Sequence, residues 1–324
     1  MLNHDLKIGL IGLGSIGQRH AENLQSLGVE LSAMRSGKGV KALPKSLRDI
    51  HCVNSFSELI DLNLDAIFIC NPSNLHSEFV ELAINHRIPF FVEKPIGTQY
   101  NASKKIGIRL AKSGIKNAVG YMMRYDPCIL KMREIIESGK LGEPVSAIIE
   151  WGTYLPHWHP WEDYKQGYAS RSEMGGGVVK TCSHEIDTAI FLLGPIESAY
   201  SSARRSVLEI EAEDCMDALF IHESGVTTLM HLDYFQKIQR RTIDIILSNG
   251  RLSWDFHKDK LLCADFKLNK TQVILGGKSI NEVYTDMLND FINLLMGNKS
   301  QIPDYFDGLN VLRVCENILK KYRP

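Results

Sequence analysis

The hexapeptide Gly12-Leu13-Gly14-Ser15-Ile16-Gly17 follows the apolar run Leu6 to Ile11 and opens a stretch in which Ile16, His20, Leu24 and Leu27 recur at helical spacing. A G-x-G-x-x-G between a strand and a helix constrains the fold strongly. The first glycine permits a tight turn, the second lets a backbone approach a diphosphate, and the third lets helix and strand pack closely. Gly12, Gly14, Ser15, Ile16 and Gly17 are therefore candidate cofactor contacts. The helix N-terminus adds N–H donors and partial positive charge for phosphates. Strand-like runs continue at Val29 to Ala33, Ala66 to Cys70 and Pro89 to Val92, with a helical stretch at Ser77 to Asn85. Repeated β-α-β units predict a parallel, doubly wound α/β sheet of the Rossmann type with right-handed crossovers.

Beyond about residue 120 the rhythm changes. Long β-rich runs cover Val145 to Trp151, Asp217 to His222, Val226 to Tyr234, Thr242 to Ser248 and Arg251 to Phe256. Ser224-Gly225 and Asn249-Gly250 are expected hairpin joints, the second a type I′ turn. The expectation is an α+β domain with an open, mainly antiparallel sheet covered on one face by helices near 178–193, 281–296 and 307–321. The chain thus divides into a dinucleotide-binding domain over 1–120 and a substrate-binding and oligomerisation domain over 121–324. Its 324 residues exceed what one core usually serves.

Lys and Arg balance Asp and Glu to a net charge of −1, which argues against a nucleic-acid partner. Seven scattered cysteines with no C-x-x-C pair fit reduced thiols in a cytoplasmic protein. No apolar segment approaches the roughly 20 residues of a membrane span, and the N-terminus lacks an apolar signal region, so a cytoplasmic location is expected.

The end of the second strand selects the dinucleotide. Sites that prefer NAD usually place Asp or Glu there for the ribose 2′-hydroxyl, whereas this chain has Ala33-Met34-Arg35-Ser36. Arg35 and Ser36 suit a 2′-phosphate, so NADP is the expected cofactor and NAD the alternative.

Glu93-Lys94-Pro95 follows the strand Pro89 to Val92, at the carboxyl edge where doubly wound sheets bind ligands. Together with Gly12 to Gly17, Asn71-Pro72, Gly120 to Pro127, Ser138 to Pro144, Gly175-Gly176-Gly177 leading to His184 and Asp187, and Glu213-Asp214, it resembles the glucose–fructose oxidoreductase/inositol dehydrogenase (Gfo/Idh/MocA) family over essentially the whole chain. The resemblance implies hydride transfer between nicotinamide and a hydroxyl-bearing carbon of a sugar, sugar derivative or cyclitol. It also implies a homodimer or homotetramer built through the second-domain sheet. It assigns catalysis to Lys94, beside the nicotinamide, and to His184 in proton transfer. Asn71, Pro72, His76 and Glu93 fall on the cofactor side, Arg124 and Asp187 on the substrate side.

Helical spacing puts Lys180, His184 and Asp187 on one stripe, with Val179, Cys182, Ile186, Ile190 and Leu193 on the core-facing stripe, so His184 is expected off the core face. Many relatives carry an aspartate four residues before this histidine, where Lys180 stands here. A lysine there adds positive charge and favours an anionic substrate such as a sugar phosphate, nucleotide sugar or sugar acid. The same departure keeps open a non-catalytic sensor or scaffold that binds dinucleotide or sugar.

Trp151 to Arg171 holds three of the four tryptophans, with tyrosines, histidines and carboxylates interleaved. Aromatic faces beside hydrogen-bonding groups suit a sugar ring, which makes Tyr154, His159, Tyr164, Arg171 and Lys180 candidate substrate contacts. The same composition serves a loop pinned to its own domain or to a second subunit. The run Tyr154 to Tyr164 resembles members associated with bacterial surface-sugar biosynthesis. A metal site from His157, His159 and His184 is set aside, because hydride transfer to nicotinamide needs no metal.

Overall fold

A computed structural model describes residues 6–35, 42–320 and 322. The chain divides into two units: Met1–Tyr121 with Ile280–Leu309, and Met122–Ser279 with Asn310–Pro324.

In the first unit the strands β1 (Lys7–Ile11), β2 (Glu30–Met34), β3 (His51–Val53), β4 (Ala66–Ile69), β5 (Phe90–Val92) and β6 (Asn117–Val119) form one parallel sheet in the order β3-β2-β1-β4-β5-β6. The helices α1 (Ser15–Ser26), α2 (Phe56–Ile60), α3 (His76–His86) and α4 (Tyr100–Ser113) alternate with them. Strand order reverses between β1 and β4, and a doubly wound sheet offers its ligand crevice at that switch point. The central strands are apolar on both faces because helices cover both: Ile8, Leu10, Ile67, Phe68, Phe90 and Phe91 are fully buried. Phe68 and Phe91 stack with ring centroids 4.5 Å apart, and Phe291 meets both edge-on.

Phe291 belongs to the helix Ile280–Leu295, which corrects the expectation that this helix covers the second sheet. Its apolar stripe (Val283, Met287, Leu288, Phe291, Ile292) is buried. Asn281 and Asn23 of α1 exchange hydrogen bonds of 2.9 and 3.2 Å, and the Arg19 guanidinium sits 4.9 Å over the Tyr284 ring. Amphipathic periodicity reveals that a helix has a buried face and is silent on which sheet receives it.

The second unit holds α5 (Pro127–Glu137), β7 (Pro144–Tyr154), α6 (Val178–Thr181), α7 (Ser183–Leu193), β8 (Ile196–Arg204), β9 (Cys215–His222), β10 (Thr227–Asp233), β11 (Phe235–Leu247), β12 (Gly250–Asp255), β13 (Lys260–Asp265) and β14 (Lys270–Leu275). The eight strands form one sheet in the order β14-β13-β12-β11-β7-β10-β9-β8, antiparallel throughout except for the parallel β10–β7 pair. Met216 and Phe220 are fully buried on one face of this sheet. Ile148, Leu229 and Tyr200 on the other are 54%, 54% and 63% exposed.

Both expected hairpins are present. The β11–β12 joint is not type I′, because Leu247 pairs with Gly250 and neither intervening residue has positive φ. The Ser248 and Asn249 amides instead donate to the carbonyls of Glu143 and Leu141, each at 2.9 Å, so contact with the 141–143 turn sets this loop. Among the described residues no helix is long and apolar enough to cross a membrane.

Candidate functional site

The glycine turn between β1 and α1 performs three separate steric tasks. Gly12 has φ of +94°, and a side chain there would meet the Asn71 backbone at 3.0 Å. A side chain at Gly17 would overlap the Gly12 carbonyl oxygen, so helix and strand touch here. At Gly14 the opposite holds: among the described residues nothing lies within 4 Å of where a Cβ would be. Gly14 is the N-cap of α1 and no side chain caps it, which leaves the helix N-terminus facing open space beside Ser15 and Ile16. The Gln18 side chain ties the turn down by donating to the Leu13 carbonyl at 3.1 Å and the Ala42 carbonyl at 3.2 Å.

Next to this turn, both polar atoms of the Asn71 side-chain amide are buried without a hydrogen-bond partner among the described residues. A buried, unsatisfied amide costs about 1–3 kcal/mol. A ligand that fills the crevice would remove that cost. An open glycine, an uncapped helix N-terminus and an orphaned amide at one switch point fit a dinucleotide diphosphate and its ribose.

Arg35, half-buried, directly follows β2, its backbone N–H donating to the Val53 carbonyl at 3.2 Å. Ser36 lies outside the described residues. His76, the first residue of α3, presents Nδ1 to the Pro95 carbonyl and Nε2 to the Asn71 carbonyl, both at 2.8 Å. Burial pushes its imidazole below the ordinary value, against the pull of those two carbonyls. Lying between those two carbonyls, with its one N–H donated to either, His76 ties the loop after β4, including Pro72, to the loop after β5. Lys94 sits on that second loop directly past β5, and the Lys94–Pro95 peptide is cis.

Glu93 faces inward. Its carboxylate lies 2.7 Å from Nε2 of His20, a residue of α1 that is fully buried. Sequence reasoning missed His20 as a site residue. The available signal was a histidine within the apolar stripe of α1, which asks for a buried partner.

In the second unit the segment 178–193 is two helices, because Cys182 leaves helical geometry at φ −91°, ψ 22°. Lys180 therefore does not share one helix face with His184 and Asp187, which corrects the expected stripe. Nor is His184 off the core face: it is 7% exposed, and nine of the eleven residues of α7 are buried. A helix covered on both sides has no solvent face for a stripe to mark.

Asp187 takes a bidentate pair from Arg124, with Nη2–Oδ1 at 2.6 Å and Nε–Oδ2 at 3.0 Å, while the Arg124 guanidinium lies 5.2 Å over Phe191. Arg124 and Asp187, both expected to hold substrate, thus bind one another and anchor α7. A second buried pair, Glu185–Arg241 at 2.6 Å, has its guanidinium 4.5 Å over Trp151.

Beside Lys180, which is half-buried, the Glu213 carboxylate accepts the Val179 N–H at 3.2 Å. Burial pushes Glu213 up to about 7, although Lys180 pulls it down. The folded chain therefore keeps a proton that the unfolded chain releases near 4.5, so this group's contribution to stability falls as pH rises from about 4.5 to 7 and is level above. Glu213→Gln is expected to raise the unfolding free energy at about pH 8 by on the order of 3 kcal/mol, read as a higher melting temperature, and to change little near pH 5. Melts that shift equally at both pH values would contradict this.

The aromatic segment separates into two layers. Trp158 donates Nε1–H to Thr153 Oγ1 at 2.8 Å, stacks on Trp151 and meets Tyr234 edge-on, so it pins the segment to its own sheet. Farther out, Lys237 lies 5.5 Å over the Tyr154 ring, and His159 stacks on Trp161, which is 52% exposed, while contacting Glu162 at 2.8 Å. The Tyr164 carbonyl accepts from Ser170, and Arg171 pairs with Glu173. Among the described residues the histidines weighed as a metal site, His157, His159 and His184, do not bring their ligand atoms together, whereas those of Cys215, Asp217 and His231 lie within 4.8 Å of one another. There His231 bridges Asp233 and Asp217, and those hydrogen bonds hold its pKa up at about 9, so the carboxylates already have a cation.

Residues 6–121 match the model of an oxidoreductase family with an NAD-binding Rossmann fold, and residues 129–253 match the GFO/IDH/MocA C-terminal domain. Curated relatives include a scyllo-inositol 2-dehydrogenase (NAD(+)) of Bacillus subtilis (strain 168), 26% identical over 207 residues that span 60% of this chain and 55% of that protein. A myo-inositol 2-dehydrogenase of Thermotoga maritima is 31% identical over 149 residues, 43% of each chain. The chain thus spans about half the length of the curated relatives it matches. A levoglucosan dehydrogenase in complex with NADH superposes with a TM-score of 0.86 over 97% of this chain and 96% of that one, at 17% identity, a likeness of fold.

Proposed function

Since this chain belongs to the GFO/IDH/MocA oxidoreductase family, we propose that it transfers a hydride between a nicotinamide dinucleotide and a hydroxyl-bearing carbon of a sugar, sugar derivative or cyclitol. The observation that carries this reading is the β1–α1 turn, where open space over Gly14 meets an uncapped helix N-terminus and the unpartnered Asn71 amide. Bound nicotinamide supplies the hydride acceptor or donor. The protein's part is to bind, to orient and to move one proton, because oxidising a secondary alcohol frees the hydroxyl proton as the hydride leaves. In this reading Lys94 holds the reacting oxygen by charge, and His184 exchanges the proton, imidazole being the side chain that titrates near neutrality without perturbation. Tyr154, His159, Tyr164, Arg171 and Lys180 are the proposed substrate contacts. Arg124 and Asp187 are assigned to holding α7, given their mutual pair.

The absence of a carboxylate at the end of β2, with Arg35 in its place, favours NADP over NAD. One experiment tests activity and preference together: the purified protein with NADP⁺ or NAD⁺ against inositols, aldoses, sugar phosphates, nucleotide sugars and sugar acids. Turnover is expected with at least one, faster with NADP⁺. Arg35→Ala is expected to raise KM for NADP⁺ at least tenfold and to spare NAD⁺, and equal use of both dinucleotides before and after the change would sink the preference. Binding of dinucleotide without turnover of any substrate would favour the sensor or scaffold reading, which the lysine at position 180 supports. The exposed apolar residues Ile148, Leu229 and Tyr200 are assigned to contact between copies of this chain, so sedimentation equilibrium is expected to return a dimer or tetramer and not a monomer.

A further inference from the structure

Glu93 has a use for each carboxylate oxygen. Oε1 meets His20 Nε2 at 2.7 Å, and Oε2 accepts the backbone N–H of Lys94 at 3.1 Å. The surroundings leave no slack. A side chain at Gly120 would come within 2.7 Å of the carboxylate, and the His20 ring is boxed edge-on by Phe68, Phe91 and Tyr284 at centroid distances of 5.7, 5.3 and 5.7 Å. His20 belongs to the same helix whose N-terminus forms the glycine turn. A single buried bridge therefore runs from the helix that presents the diphosphate amides to the backbone of Lys94.

We propose that the His20–Glu93 pair is a positioning device that fixes Lys94 relative to the glycine turn. This rests on the reading of Lys94 as a catalytic group. Burial pushes the Glu93 carboxyl up, but the hydrogen bond and charge of His20, with Lys94 adding to it, outweigh burial and hold it below the ordinary range. The ionised carboxylate is the form with two acceptor oxygens for its two partners. A pair kept only for stability would need no link to the Lys94 amide, and buried ion pairs contribute little stability over apolar replacements.

The test uses His20→Phe, which fills the aromatic box without the ring N–H, and His20→Gln, which retains a donor. His20→Phe is expected to lower kcat 10- to 100-fold with dinucleotide Kd by calorimetry within threefold of the parent, and His20→Gln to recover much of that kcat. Added to Lys94→Met, His20→Phe is expected to change kcat less than twofold, because its target is already gone. A readout independent of turnover is the acetylation of Lys94 followed by mass spectrometry. NADPH is expected to protect Lys94 in the parent and to protect it at least threefold less in His20→Phe. Loss of dinucleotide affinity in step with kcat, effects that multiply with Lys94→Met, or unchanged protection of Lys94 would each overturn the proposal. Should His20→Phe not fold, His20→Leu, which is smaller than the aromatic box and equally without a donor, takes its place in the Lys94→Met cycle and the acetylation assay under the same criteria. Failure of the underlying reading has a different signature: Lys94→Met would then leave turnover intact while NADPH still binds.

Discussion

Gly14→Val is expected to weaken dinucleotide binding at least 100-fold while leaving the melting temperature within about 2 °C of the parent. Gly14 has φ of −71° and extended geometry, so a β-branched residue fits its backbone, and nothing within 4 Å obstructs the new side chain. The added methyl groups would occupy the space in front of the α1 amides. Charge-assisted hydrogen bonds of the kind a diphosphate makes there are each worth about 1.5–3 kcal/mol. Losing one or two accounts for a 100-fold change, about 2.7 kcal/mol. Gly17→Ala provides the contrast: its Cβ would overlap the Gly12 carbonyl oxygen, so binding and melting temperature are expected to fall together. Thermal melts paired with calorimetric titration check both. Normal affinity in Gly14→Val would remove the diphosphate from this turn.

Lys94→Met carries the second large effect. It is expected to lower kcat by about 10³, within the range typical for loss of a group that handles charge or protons at the reacting atom. Dinucleotide Kd should stay within threefold, because the glycine turn and not the lysine holds the diphosphate. An equal loss in kcat and kcat/KM marks an interaction made only in the transition state. His184→Gln is expected to lower kcat to a similar extent, since glutamine cannot exchange the proton. Steady-state kinetics with stopped-flow binding separate these outcomes, and a rise in KM alone would reduce Lys94 to a binding residue.

What the sequence reveals and conceals follows from where each constraint lies. Gly12, Gly14 and Gly17 are legible because three steric demands fall at fixed spacing in one turn. Lys94 is legible because it directly follows an apolar strand. His20 and Glu93 are 73 residues apart, and no local pattern announces a partner at that distance. The edge strands His51–Val53 and Asn117–Val119 are three residues each, too short for periodicity, and Lys270–Leu275 is exposed on nearly every residue, so no alternation marks it. The stripe over 180–187 misleads for a different reason. Helix α7 is buried nearly all round, and the break at Cys182 carries no glycine or proline to signal it. Likewise, Asn249-Gly250 has the composition of a type I′ turn, yet its loop is shaped by hydrogen bonds to residues 141 and 143.

The central claim is that the turn after β1 clasps a nicotinamide dinucleotide. Isothermal titration of the intact protein with NADPH and with NADH tests it most directly: saturable heat at one site per chain is expected, tighter for NADPH and absent in Gly14→Val. No heat with either dinucleotide would contradict the account.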